Sequence, residues 1–135
     1  EHILLVDDEQ MIVEIATLIL EGLGYRVTSR LNSVEALDLF RTNHDAYDLV
    51  ITDLTMPQLT GDQLAREMVA INPAIPIIIC SGFGERVKLE QAKAIGVREI
   101  LMKPITIAEI SHKVRLVLDA SFSERENKEA SPDGT

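Results

Sequence analysis

The chain of 135 residues contains no tryptophan and a single cysteine, and its other aromatic residues are three phenylalanines and two tyrosines. The one cysteine, Cys80, has no partner for an internal disulfide, and its apolar neighbours predict a buried, reduced thiol. No apolar run approaches the roughly 20 residues that span a bilayer. No signal-peptide pattern opens the chain either. These absences favour a cytoplasmic protein.

Positive charge is also scarce, with 13 lysines and arginines against 22 aspartates and glutamates and a formal net charge of -9. A nucleic-acid-binding surface needs clustered lysine and arginine, so we expect no direct binding to nucleic acid. The length suits one domain with a real core. The first residue is not methionine, which indicates a piece of a longer protein.

Short apolar runs alternate with helical patterns five times along the chain. This alternation is typical of an α/β fold built on a parallel sheet. The runs at 3–6, 49–52 and 75–80 are almost continuously apolar, as strands buried on both faces are. Those at 25–29 and 99–102 are weaker, which suits the edges of the sheet.

The helical patterns have recognisable ends. Apolar residues recur at helical spacing from Met11 to Ile19 in the first, which ends near Gly22. Ser33 is expected to cap the second. The remaining helices are predicted over about 61–72, over about 85–95, and from a capping box of Thr106 and Glu109 onward.

The end of the chain differs in composition. From Ser121 onward it is polar and contains Pro132 and Gly134, a composition typical of disorder. We therefore predict one folded domain over residues 1–120 and a disordered polar tail or linker over 121–135.

Chemically versatile residues follow four of the predicted strands: Asp7 and Asp8, Asp53, Ser81 and Lys103. Parallel strands end at one edge of a sheet, where functional groups gather. Three crowded carboxylates repel one another and call for a counter-charge, which Mg²⁺ with its preference for oxygen ligands would supply. Asp53 is then suited to attack a phosphoryl group and form an acyl phosphate. Lys103 would pair with a phosphoryl oxygen.

The ordered set of these motifs resembles the receiver (response-regulator) domains of two-component signalling systems, over residues 3–118. The resemblance rests on Asp7-Asp8-Glu9, Asp53-x-x-Met56-Pro57 with Gly61 beyond, Ser81-Gly82 and Lys103-Pro104. It implies a doubly wound, flavodoxin-like fold with five parallel strands in the order 2-1-3-4-5, flanked by five helices.

The resemblance also implies functional roles. Asp53 would accept a phosphoryl group from the phosphohistidine of a histidine kinase or a histidine phosphotransfer protein. Asp8, Asp53 and the backbone carbonyl of Thr55 would ligate Mg²⁺, with Asp7 helping through water. Ser81 would be the switch hydroxyl, and the Lys103-Pro104 peptide bond would be cis.

The resemblance also implies which surface of the domain would pass the signal on. The face formed by helix 4, strand 5 and helix 5 would bind a phosphorylation-dependent partner or a second copy of the chain. The isolated chain would be no enzyme beyond Mg²⁺-dependent self-phosphotransfer and autodephosphorylation. The stretch 53–61 is similar to receivers attached to hybrid sensor histidine kinases, so the parent protein is expected to be either such a kinase or a stand-alone regulator.

Two positions near the site carry more specific expectations. Receivers usually have Tyr or Phe three residues before the lysine, where this chain has Ile100, so we expect the signal to pass through the loop after Ser81 and the fourth helix. Phe83 is expected to shield the acyl phosphate from water.

Other interpretations of the same residues remain open. Asp7 or Asp8 alone would suit a helix cap, and Lys103 alone a solvated surface charge. Phosphohydrolases that form an aspartyl phosphate place a second aspartate two residues after the nucleophile, where this chain has Thr55. A flavodoxin-like cofactor binder would need a phosphate loop after the first strand, and a transcription factor would need residues for a DNA-binding domain.

Overall fold

The computed structural model describes residues 1–82 and 86–130. Its strands are β1 (His2–Val6), β2 (Arg26–Arg30), β3 (Leu49–Asp53), β4 (Ile77–Ser81) and β5 (Glu99–Met102). Its α-helices are α1 (Gln10–Gly22), α2 (Ser33–Asn43), α3 (Gly61–Ile71), α4 (Arg86–Ala94) and α5 (Ile107–Ala130), and a short 3-10 turn covers His44–Ala46.

The five strands form one parallel sheet in the order β2-β1-β3-β4-β5. The predicted fold and strand order are therefore confirmed. Every residue of β3 and β4 is buried, whereas β2 and β5 are partly exposed. The continuity of each apolar run thus reflects the position of its strand in the sheet, because central strands are covered on both faces and edge strands are not.

Helices cover both faces of the sheet and create two apolar layers. Phe40 of α2 and Met68 of α3 pack in one layer, beside Ala92 of α4. Leu20 of α1 and Val114 of α5 pack in the other. Because neighbouring strands are all parallel, the carboxyl ends of β1, β3, β4 and β5 lie along one edge of the sheet.

Helix α1 buries a different face from the one that its strongest apolar spacing indicates. Val13, Ala16 and Leu20 are buried, but Met11 is 73% exposed and Leu18 is 72% exposed. The helix has apolar residues around most of its circumference, so periodicity alone predicts the helix without identifying its buried side. The result is an exposed apolar face on α1.

The start of α2 also differs from the prediction that Ser33 is its cap. Asn32 is the N-cap, and its side-chain oxygen accepts hydrogen bonds from the amides of Val34 and Glu35. Both residue types cap helices well, and the sequence offers them side by side. The hydroxyl of Ser33 forms hydrogen bonds with the loop after β3 instead.

The expected disorder from Ser121 onward is wrong for the first part of that segment, because α5 continues to Ala130. Ser121 is buried, and Glu124 pairs with the guanidinium of Arg98 through bonds of 2.8 and 2.9 Å. These contacts explain why helix continues beyond residue 120. Residues 131–135 lie outside the described residues, as does Glu85 at the predicted start of the fourth helix, and the domain division at residue 120 stays a prediction.

Other sequence features agree with the structure. Thr106 accepts a hydrogen bond from the amide of Glu109, which is one of the two bonds of the predicted capping box. The Lys103-Pro104 peptide bond is cis, as expected. Within the described residues, no helix combines the length and the apolar content needed to cross a membrane.

Gly61 sets how closely α3 approaches the end of β3. Its amide donates a 2.7 Å hydrogen bond to the carbonyl of Leu54. A Cβ at this position would overlap the carbonyl oxygen of Asp53 and lie 2.8 Å from the Cα of Leu54. Only glycine lets the helix begin against this backbone, so Gly61 helps to position Asp53.

We expect Gly61→Ala to lower the free energy of unfolding by about 1–3 kcal/mol, the usual cost of forcing extra atoms into a packed site. Gly22→Ala is the matched control, because nothing lies within 4 Å of a Cβ there and alanine is the better helix former. Urea unfolding measures both. Equal stability of the two variants would show that the close approach of α3 is not required.

Candidate phosphoryl-transfer site

The predicted site residues lie at the carboxyl edge of the sheet because their strands are parallel and neighbouring. Asp7 follows β1, Asp53 ends β3, Ser81 ends β4, and Lys103 follows β5. Carboxylate oxygens of Asp7, Asp8 and Asp53 all lie within 4.8 Å of one another. The sheet topology thus brings Asp53 close to the adjacent pair Asp7 and Asp8, which lies far from it in sequence.

Lys103 pairs with two of these carboxylates. Its Nζ lies 3.0 Å from Oδ1 of Asp53 and 3.3 Å from Oδ2 of Asp7. Its backbone is held as well, since its amide donates a 2.8 Å hydrogen bond to the carbonyl of Ser81. Burial alone would lower the pKa of Lys103, but the bonds to Asp53 and Asp7 outweigh burial and raise it, so the group is a cation at neutral pH.

Asp53 lies in an environment that disfavours its charge. Only 6% of the residue is exposed, and burial raises its pKa to about 6, although the hydrogen bond from Lys103 opposes the shift. The charges of Asp7 and Asp8 contribute to the same rise. Burial also raises the pKa of Asp7. The ammonium group of Lys103 therefore compensates the three carboxylates incompletely.

This arrangement fits a divalent cation. The donor atoms are all oxygens, which hard cations prefer, and Mg²⁺ is commonly held by one or two carboxylates together with water. Asp7 is already engaged, because its Oδ1 accepts from the amide of Glu9 at 2.9 Å and its Oδ2 faces Lys103. Asp8 is exposed. The cluster can hold a metal, with Asp8 and Asp53 better placed than Asp7 for direct contact.

The remaining predicted residues lie around this cluster. Ser81 is buried and its hydroxyl donates a 3.1 Å hydrogen bond to the carbonyl of Gly82. Thr55 lies exposed in the loop after β3. Ile100 is half-buried in β5, and its carbonyl accepts a hydrogen bond from Nζ of Lys113. Phe83 lies outside the described residues.

Cys80 is next to Asp53 in the sheet but does not share its chemistry. It is buried, as predicted, and burial raises the pKa of its thiol to about 12. Because the thiolate is the reactive form of cysteine, Cys80 is inert at neutral pH. It serves as a small apolar side chain of the core.

Two features beside the site were not predicted. One is the exposed apolar face of α1, because the apolar periodicity of this helix does not identify its buried side. The other is the hydroxyl of Ser33, which reaches the loop after Asp53 instead of capping its own helix. A serine next to an asparagine at a helix start carries no signal that distinguishes these two uses.

Comparisons with known proteins agree with this geometry. The family model of the response regulator receiver domain matches residues 3–115. The two-component response regulator ORR22 of Oryza sativa subsp. indica is 33% identical over 125 residues, which cover 93% of this chain and 18% of that protein. The two-component response regulator ARR12 of Arabidopsis thaliana is 31% identical over 121 residues, covering 90% of this chain and 20% of that protein.

A similar fold has been solved. A response regulator receiver domain protein from Clostridium thermocellum aligns with a TM-score of 0.84 and 32% identity, covering 93% of this chain and 96% of that one. The chain therefore matches a whole receiver domain, while it spans less than a quarter of the two curated relatives.

The raised pKa of Asp53 predicts how stability depends on pH without a metal. The folded chain binds this proton more tightly than the unfolded chain, so stability is lost as pH rises through about 4 to 6. Asp53→Asn removes that loss, and at pH 7 in EDTA we expect it to be more stable than the wild type by about 1 kcal/mol or more. The difference should shrink at pH 4.

Urea unfolding at the two pH values measures this effect. Asp45→Asn is the control, because the side chain of Asp45 is 91% exposed and lies away from the site. A wild-type chain as stable as Asp53→Asn at pH 7 would contradict the unfavourable environment of Asp53.

Proposed function

Since the chain belongs to the response regulator receiver domain family, we propose that Asp53 is its phosphoacceptor and that Mg²⁺ supports transfer from a phosphohistidine. The observation that carries this proposal is the buried Asp53 carboxylate, paired with Lys103 at 3.0 Å and accompanied by two further carboxylates within 4.8 Å. As a receiver domain, the chain acts in two-component signalling.

The proposed reaction is a transfer between two nucleophiles. A carboxylate oxygen of Asp53 forms the new bond to phosphorus while the bond from phosphorus to the donor imidazole nitrogen breaks, and the imidazole leaves with the electron pair. Lys103 is close enough to Asp53 to pair with a phosphoryl oxygen during transfer. A bound Mg²⁺ would neutralise charge on the other phosphoryl oxygens. Asp53 is largely shielded from water, because only 6% of the residue is exposed.

For the metal, we assign Asp8, Asp53 and the backbone carbonyl of Thr55 as direct ligands, with Asp7 acting through water. The bonds of Asp7 to Glu9 and Lys103 support its indirect role. We assign Ser81 as the switch hydroxyl, because it ends β4, the strand that pairs with β3, and Asp53 ends β3.

The phosphodonor is proposed to be a histidine kinase or histidine phosphotransfer protein that docks beside α1. A groove of about 500 Å³ runs along this helix, and its walls include Ile12, Ile15 and Ile19 as well as Lys103 and Pro104. An apolar surface that ends at the lysine of the site suits a protein donor better than a small phosphate compound.

The output is proposed to pass through the face formed by α4, β5 and α5. Ile100 has no polar tip and a stiff χ1, so it is not expected to act as the family's aromatic switch does. Ile107 is 63% exposed at the start of α5. We also propose a cytoplasmic location and a parent protein that is either a hybrid sensor kinase or a stand-alone regulator.

We expect incubation with acetyl phosphate and Mg²⁺ to add one phosphate to the wild-type chain and none to Asp53→Asn, as measured by intact-protein mass. Asp45→Asn should be labelled like the wild type, because Asp45 is exposed outside the site. Removal of Mg²⁺ with EDTA should suppress labelling. Equal labelling of Asp53→Asn would exclude Asp53 as the acceptor.

The ligand assignment predicts different effects for the two neighbouring aspartates. Asp8→Ala should abolish measurable Mg²⁺ binding, whereas Asp7→Ala should weaken it about tenfold, as loss of an outer-shell partner does. Mg²⁺ titrations followed by amide chemical shifts measure both affinities. A weaker effect of Asp8→Ala than of Asp7→Ala would reverse the assignment.

A further inference from the structure

Ser33 is a buried polar residue whose hydroxyl serves a distant segment. It is the first residue of α2 and only 1% of it is exposed. Its hydroxyl donates to the carbonyl of Pro57 and accepts from the amide of Leu59, both at 3.2 Å. Because Asn32 caps α2, the Ser33 hydroxyl is not needed to start its own helix.

The two bonds close around a strained residue. Gln58, between Pro57 and Leu59, has a φ of 70°, a left-handed conformation that is costly for residues other than glycine. Such conformations persist only where surrounding contacts enforce them. The Ser33 hydroxyl contacts the backbone on each side of Gln58 and is therefore suited to hold this turn.

This turn belongs to the loop that continues from Asp53. The loop is anchored at its start, where the amide of Leu54 donates to the carbonyl of Cys80 at 2.9 Å, and Met56 is buried in the core. Between these anchors lies Thr55, the proposed carbonyl ligand. Ser33 supplies an anchor on the far side of Met56, so Thr55 is held from both directions.

We propose that Ser33 is a positioning residue for the metal: its hydroxyl fixes the turn at Gln58 and thereby places the backbone carbonyl of Thr55 toward Mg²⁺. This inference rests on the proposed function, since it assumes a cation bound beside Asp53. Ser33 touches neither the cation nor the phosphoryl group. Its role is to reduce the number of loop conformations that compete with the one that binds metal.

The test compares Ser33→Ala with Asn32→Ala. Ser33→Ala removes both bonds to the loop, whereas Asn32→Ala removes the cap of the same helix and leaves the loop bonds in place. Mg²⁺ affinity is measured by amide chemical shifts without any phosphodonor. We expect Ser33→Ala to weaken Mg²⁺ binding about three- to tenfold, which is at or below the smallest losses usual for residues that orient metal ligands. We expect Asn32→Ala to lower the melting temperature and to leave the Mg²⁺ affinity unchanged.

Kinetics and hydrogen exchange separate positioning from general destabilisation. With acetyl phosphate, Ser33→Ala should need more Mg²⁺ for half-maximal phosphorylation yet reach the wild-type rate at saturation. The Leu59 amide should lose exchange protection in Ser33→Ala and keep it in Asn32→Ala. Unchanged Mg²⁺ affinity in Ser33→Ala, or equal weakening in Asn32→Ala, would overturn the role of Ser33. Failure of the wild type to bind Mg²⁺ or to be phosphorylated at Asp53 would instead overturn the proposed function.

Discussion

One ammonium group holds the site together. Lys103 lies 3.0 Å from Asp53 and 3.3 Å from Asp7, and without it two buried carboxylates would face each other uncompensated, an arrangement that costs several kcal/mol per ion even after relaxation. With it the compensation is still incomplete, because Asp8 adds a third carboxylate within 4.8 Å. A divalent cation would add positive charge to this site, and a phosphoryl group on Asp53 would add negative charge. The proposed chemistry therefore depends on a charge imbalance that the fold maintains.

The strands of the sheet were predictable because their hydrophobic patterns report burial directly. The almost continuously apolar runs became β1, β3 and β4, in which every residue except His2 is buried, and the weaker runs became the edge strands. The gathering of Asp7, Asp53 and Lys103 was also predictable, since parallel strands end at one edge. Strand order itself came from the family resemblance, because no spacing in the chain distinguishes one parallel order from another.

Other features depend on tertiary contacts that a linear pattern does not contain. Helix α1 is apolar on more than one side, so its spacing could not show that Val13 faces the core and Met11 faces solvent. The segment after Ser121 is polar enough to suggest a tail, yet glutamate, arginine, lysine and alanine are strong helix formers, and the bidentate pair of Arg98 with Glu124 ties the extended helix to the sheet. Serine is a common helix cap, so the sequence around Ser33 predicts a cap. The actual partners of its hydroxyl lie 24 and 26 residues away, where a local pattern cannot show them.

The carboxyl edge of the sheet combines several unfavourable interactions. The carboxyl edge holds the raised pKa values of Asp53 and Asp7 and the left-handed Gln58 nearby. At the opposite edge, Glu1 before β1 binds Arg115 bidentately, with both bonds at 2.9 Å. Exposed ion pairs contribute little stability, so the two apolar layers supply most of the free energy that offsets the strained edge. Departures from local rules that are offset elsewhere in the fold are typical of functional sites, which supports the proposal that this edge binds metal and a phosphoryl group.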